Sequence, residues 1–391
     1  MLAAAFGLGA TSLYFYTLGL MIVPLSTAFG WSQAQITSGP IIISIFYFFL
    51  ASRIGALVDR LGPRAVVVPG YAGFCLALAA LGLAGPSIWS WYALWALMAL
   101  IFTFTAPSLW AMAVVSRFDR ARALALSVAL CSTGVMAALT PVIEAALIQS
   151  SGWRVAYFVL GGGMLVIGLP IVWSCLPRHV ARPAESDLDA ALRPGLTFGE
   201  ALRSPRFWMI AASSLLIGAG IAALMVHLPP IGLAQGLSTA KVAAITGLIG
   251  ITAIGGRLLT GLLMDRFAVR MVGAVVFAMP LIACLILAYH PTAAMMTVSA
   301  LLIGVVSGGD YNVLALLTSR YLGMRSYAAI YSQIAAAFNI GVGLGPAVMG
   351  AFHDHVGRYP PLLIGLGFVF AITAMLTVAL GREPNAAGPA R

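Results

Sequence analysis

Charge is what this sequence has least of. Only 8% of its 391 residues are Asp, Glu, Lys or Arg, against about a quarter in soluble globular domains, which excludes a water-exposed fold. With 61% hydrophobic residues and a mean hydropathy of +1.02, the composition is that of an integral membrane protein. Catalytic motifs are also missing. HExxH and GxSxG do not occur, no histidines cluster within an apolar run, and His353 and His355 flank a loop. An intramembrane enzyme, which needs metal ligands or a nucleophile with its base, is therefore not expected. The four cysteines, Cys75, Cys131, Cys175 and Cys284, lie in apolar runs without CxxC spacing, so neither a metal site nor a disulfide framework is expected, and no cofactor is implied. The first run, from Leu2, lacks a basic leader and a cleavage site and exceeds a signal-peptide core, so it reads as a transmembrane segment.

What the sequence does have is twelve apolar runs, at 2–28, 35–58, 65–84, 88–115, 122–149, 153–176, 206–234, 239–264, 270–289, 292–320, 325–352 and 359–381. Each reaches or exceeds the ~20 residues that a helix needs to cross a ~30 Å hydrocarbon core. Barrel strands would be short and alternate apolar with polar, which these runs do not. The one long polar stretch, 178–205, carries Glu185, Asp187, Asp189 and several prolines. It reads as a linker between an N-terminal six-helix bundle, 1–177, and a C-terminal one, 206–381, followed by a polar tail, 382–391. The expected fold is all-α and integral to the membrane, with two pseudo-symmetric bundles. A tail this short leaves little room for a sensor's signalling domain.

The halves repeat. GALVDRLGPR, Gly55 to Arg64, returns in altered form as GLLMDRFAVR, Gly261 to Arg270, with Asp59 and Asp265 standing 206 residues apart. Ser127 and Ser332, Pro141 and Pro346, and Gly152 and Gly357 each differ by 205. Parallel repeats of this kind put a substrate site between the halves, near the midplane. With the N-terminus placed in the cytoplasm, the loops after spans 2, 4, 6, 8 and 10 and the tail hold sixteen of the twenty-one basic residues. The outer loops hold three, Arg154, Lys241 and Arg358. The positive-inside rule then places both termini in the cytoplasm. That bias accounts for the net charge of +10 without nucleic acid.

GALVDRLGPR resembles the signature loop of the major facilitator superfamily, and the twelve spans, central linker and degenerate second copy are similar to that family along nearly the whole chain. FGWSQAQI, GGRLLTGLLMDRF, RYLGMRSYAAIYS and GLGPAVMGAFHDHVGRY resemble the branch of monocarboxylate porters and oxalate:formate antiporters. Span 1 reads TSLYFYTLGL where animal monocarboxylate porters carry an acidic-glycine signature, which turns the expectation from lactate or pyruvate toward another acid in a bacterial relative. The resemblance implies a secondary active transporter of the bacterial inner membrane, functional as a monomer, moving a small organic anion by alternating access. It also implies a conformational latch at Gly55, Asp59, Arg60, Gly62 and Arg64, with a second copy at Asp265 and Arg266. Read without the family, the same residues make a tight basic turn in which Asp59 can meet the amides of a neighbouring helix N-terminus.

Charges inside apolar runs cost several kcal/mol unless paired or wet. Arg53, Glu144, Arg257 and Asp310 qualify. Arg257 lies eight residues before Asp265, about 12 Å into its span at 1.5 Å per residue, where a guanidinium can take a carboxylate in a two-pronged pair that lysine cannot copy. Its GR-x-x-x-G setting matches the substrate-binding arginine of the monocarboxylate branch. A structural ion pair is the plainer reading. Asp310 stands at nearly the same depth, as a proton-coupling carboxyl or as the partner that holds Arg257 when substrate is absent. Arg53 can snorkel to the interface, Glu144 suits an interfacial or a cavity role, and His227 either lines the cavity or packs. Tyr14, Asn312 and Asn339 complete the candidate substrate contacts. Proton symport is the leading expectation. Exchange of one acid for another comes next, and then an aromatic acid or drug with Arg257 structural.

Overall fold

A computed structural model describes residues 1–115, 122–176, 194–289 and 292–383. Most of the linker, the end of the tail and the side chain of Asp59 lie outside the described residues. The helices are α1 (Leu2–Phe29), α2 (Gln33–Thr37), α3 (Gly39–Leu61), α4 (Pro63–Ala80), α5 (Ile88–Phe102), α6 (Pro107–Val115), α7 (Arg122–Ser151), α8 (Trp153–Cys175), α9 (Phe198–Arg203), α10 (Pro205–Ala234), α11 (Thr239–Arg266), α12 (Val269–Tyr289), α13 (Ala293–Leu322), α14 (Tyr327–Val356) and α15 (Pro360–Ala379). Twelve membrane-length apolar segments run through them. Helices are the one way a separate segment can satisfy its whole backbone in lipid.

Two expected helices are broken, each for a local reason. Span 4 is predicted unbroken over 88–115, but α5 ends at Phe102 and a 3₁₀ turn at Thr103–Thr105 precedes α6. Pro107 has no N–H and forces Ala106 out of the helical region, to ψ 150°. Span 2 begins with α2, where Ser32 and Gln35 form a reciprocal capping box, and restarts at Gly39 ahead of Pro40. The end of the linker also has structure. Thr197 and Glu200 cap α9 reciprocally, and Leu196 and Met324 exchange backbone bonds with Leu322 and Pro194, at 2.9 Å each.

The chain forms two compact units that cut across three helices. One holds Met1–Pro183 with Met225–Ile251 and Pro346–Gly357; the other holds Ala184–Leu224, Thr252–Gly345 and Arg358–Arg391. Two larger apolar cores and a smaller cluster, Leu20, Ala145, Val242 and Ala243, lie among the described residues of the first unit. One larger core gathers Trp31, Trp91, Trp95, Phe74, Phe102 and Tyr157, and the other centres on Tyr71, Trp110 and Val66–Val68. In the second unit α12 packs against α13 and α15. Gly152 and Gly357, paired in the sequence repeat, both take left-handed φ, 85° and 73°, which turns the chain sharply between consecutive helices at a position that only glycine tolerates cheaply.

Candidate functional site

In the second unit, α11, α13 and α14 bring together most of the polar residues expected in that half. Arg257 is half-buried on α11, and its Nε donates to the Gly308 carbonyl of α13 at 3.4 Å. Asn312 Nδ2 donates to the Arg257 carbonyl at 3.2 Å. Asp310 is 2% exposed and accepts the Tyr311 N–H at 2.6 Å. It lies within electrostatic reach of Arg257 and of Tyr331 on α14. The two expected charges thus share one neighbourhood, and among the described residues no ion pair joins them. Asn339 on α14 donates to the Ala335 carbonyl of its own helix at 2.8 Å.

Small residues make this proximity possible. A Cβ on Gly308 would run into the Ala253 carbonyl of α11, and one on Gly256 into Val305 of α13. The two backbones therefore touch, which small residues in membrane helices allow. A half-buried guanidinium with one bonded nitrogen edge keeps further donors for an anion.

The remaining candidates lie in the first unit. Tyr14 packs edge-on against Trp95 and Phe102, with centroids at 6.0 and 5.7 Å, inside the aromatic core. His227 is fully buried, and its Nε2 donates to the Pro346 carbonyl at 2.9 Å. A cleft where α1, α7, α10 and α11 meet is lined by Phe15, Tyr16, Pro141, Met225, Pro229 and Thr246. Glu144 is fully buried and is not among the residues that line the cleft. Arg53 is exposed, in keeping with snorkelling.

At the signature loop, Gly62 closes α3 with φ 84°, Gly55 sits within that helix, Arg60 is exposed, and the Arg64 guanidinium lies 4.7 Å above the Trp173 ring. In the second copy, Asp265 and Arg266 are exposed at the end of α11.

Sequence reasoning missed one joint. The Asp354 carboxylate, near the end of α14, accepts the N–H groups of Gln33 and Ala34 at 3.0 and 2.9 Å, at the first turn of α2. Thr37 Oγ1 donates to the same Pro346 carbonyl as His227, at 3.1 Å. The capping pattern SQAQ marks the helix start in the sequence, but nothing local links it to an acid more than 300 residues away.

Twelve membrane-length helical segments among the described residues, with a guanidinium and a carboxyl in one buried neighbourhood, define a polytopic helical membrane protein with a polar interior. The chain belongs to the major facilitator superfamily, whose model matches residues 4–346. It is 24% identical to monocarboxylate transporter 12 of Xenopus laevis over 68% of this chain and 63% of that protein. To human monocarboxylate transporter 11 it is 31% identical over 68% of this chain and 55% of that protein. The matches thus span less than two thirds of these relatives' length. Among solved structures, a bacterial homolog of the human lysosomal transporter Spinster, inward-facing and occupied, superposes with a TM-score of 0.71 at 17% identity, over 97% of this chain and 94% of that one. This likeness is one of fold.

Proposed function

We propose that this transporter moves small organic monocarboxylates across the bacterial inner membrane by alternating access, coupled to protons, with both termini in the cytoplasm. The observation that carries the reading is Arg257: a half-buried guanidinium, fixed on one side by Gly308, with Asp310 and Asn312 beside it. An anion's carboxylate fits the remaining donors with a geometry specific to arginine. The names of the relatives support the same substrate class. In this reading Asp310 exchanges the coupling proton, Asn339 adds a hydrogen bond, and the two halves, 1–177 and 206–381, rock about the site. The Asp59 loop and its copy at Asp265 form the cytoplasmic latch, and the Gly62 turn and Arg64 on Trp173 set its frame. The Gly308 bond to Arg257 also suits a structural arginine in a carrier of some other small solute.

The test is uptake of labelled monocarboxylates into proteoliposomes, with and without an inward proton gradient, for wild type and Arg257→Lys. Gradient-driven uptake of one acid, lost in the charge-conserving variant, is the expected result. Equal uptake by Arg257→Lys would remove the arginine's geometric role. Failure of folded protein to move any acid would remove the substrate class.

A further inference from the structure

Glu144 has no role in the reading above, yet it is the least accommodated polar group in the first unit. It is fully buried, and both carboxyl oxygens lack a hydrogen-bond partner among the described residues. The hydroxyl of Tyr157 on α8, also buried and with the Thr17 hydroxyl of α1 as its polar neighbour, lies within electrostatic reach. Among the described residues, nothing that packs around α7 offers Glu144 a counter-charge. From α1 comes Thr17, whose hydroxyl bonds the Leu13 carbonyl at 3.0 Å. From α8 comes Arg154, which donates to the Ala84 carbonyl at 2.9 Å and lies over Trp153. From α10 comes His227, bonded to Pro346, and the α11 lysine, Lys241, is exposed. The described side chains of α6 are not titratable. Next along α7, Ala145 packs among Leu20, Val242 and Ala243. An unpaired charge is costly in such a place.

The cleft lies close by. Pro141, three residues earlier, is part of the cleft wall together with Ala137. Three residues are only about 4.5 Å along a helix. The proline removes the N–H that would cover the Ala137 carbonyl, which leaves α7 locally loosened between cleft and acid.

We propose that Glu144 is a proton-binding residue of the transport cycle, protonated while the cleft beside Pro141 is closed and releasing its proton through that cleft when water enters, with the Tyr157 hydroxyl as its hydrogen-bonding neighbour. The role in coupling rests on proton-driven transport as proposed above; the binding of a proton does not.

The test pairs two readouts. Infrared difference spectra of purified protein across a pH titration should show a protonated-carboxyl band that Glu144→Gln abolishes and Asp310→Asn leaves in place. In proteoliposomes, Glu144→Gln should lose most gradient-driven accumulation while keeping solute exchange without a gradient. A missing band, or a band unchanged in Glu144→Gln, overturns the proposal even if acid transport is confirmed. A Glu144-dependent band in a protein that moves no acid would instead count against the substrate reading alone. Glu144→Gln with wild-type accumulation overturns the coupling role. If that variant does not fold, Tyr157→Phe decides: the band's titration midpoint must shift, and an unmoved midpoint overturns the proposal.

Discussion

Asp354 is the sharpest point at which to test what holds the end of α14 against α2. Its two carboxylate oxygens accept adjacent backbone N–H groups of α2 at 3.0 and 2.9 Å, where the helix start is partially positive. A hydrogen bond to an ionised group is worth ~1.5–3 kcal/mol, whereas an exposed charge at a helix end contributes ~0.3–1 kcal/mol. Asp354 is exposed, and Asn in its place keeps one acceptor oxygen, so the expected loss in Asp354→Asn is ~1–2 kcal/mol. That is a ~5- to 30-fold rise in the population where α14 has left α2. Amide hydrogen exchange reads this directly, because Gln33 and Ala34 exchange only when the carboxylate releases them. The peptide covering them should lose protection by that factor in Asp354→Asn, while peptides from α4 and α8 stay unchanged. Equal protection in both proteins would mean that apolar packing alone holds the joint and that the carboxylate contributes nothing.

Three further outcomes follow from the geometry. Gly308→Val places methyl groups on the Ala253 carbonyl; such overpacking costs ~1–3 kcal/mol, so the thermal midpoint should fall and Arg257-dependent uptake with it. In Arg154→Ala the guanidinium that lies 4.2 Å from the Trp153 ring and bonds the Ala84 carbonyl is lost. A drop of ~1 kcal/mol in stability is expected, which Arg154→Lys restores only in part, as denaturant titration would show. At Glu200, the Thr197 N–H and then the Thr197 hydroxyl hold the carboxyl below the usual range. Its contribution is therefore complete above the ordinary Glu value and is lost only as pH falls through the depressed one. Protection of the Thr197 amide, corrected for intrinsic exchange, should hold through the ordinary range in wild type and show no titration in Glu200→Gln.

Most of the architecture was legible because lipid imposes few solutions. A helix must be apolar along its membrane length and must bond its own backbone, so hydropathy alone located the twelve spans to within a few residues, and the glycines of the repeat marked real turns at Gly152 and Gly357. The break at Pro107 was readable in principle, since proline restricts the residue before it, but long apolar runs mask such local rules. The neighbourhood of Arg257 and Asp310 was half legible. Equal depth follows from counting residues, whereas facing requires the rotation of α11 and α13 about their axes, and that was settled by Gly256 and Gly308, which let the two backbones meet.

Composition and spacing by themselves determined a helical membrane protein and the few charges that needed explanation. Only the tertiary structure decided what surrounds each charge. It placed Asp354 on the first turn of α2, tied His227 to Pro346, put Tyr14 in an aromatic core, and enclosed Glu144 without a hydrogen-bond partner among the described residues. The physical reason is that depth and hydropathy are properties of one segment, while burial, pairing and hydration belong to the side chains that other segments bring from hundreds of residues away.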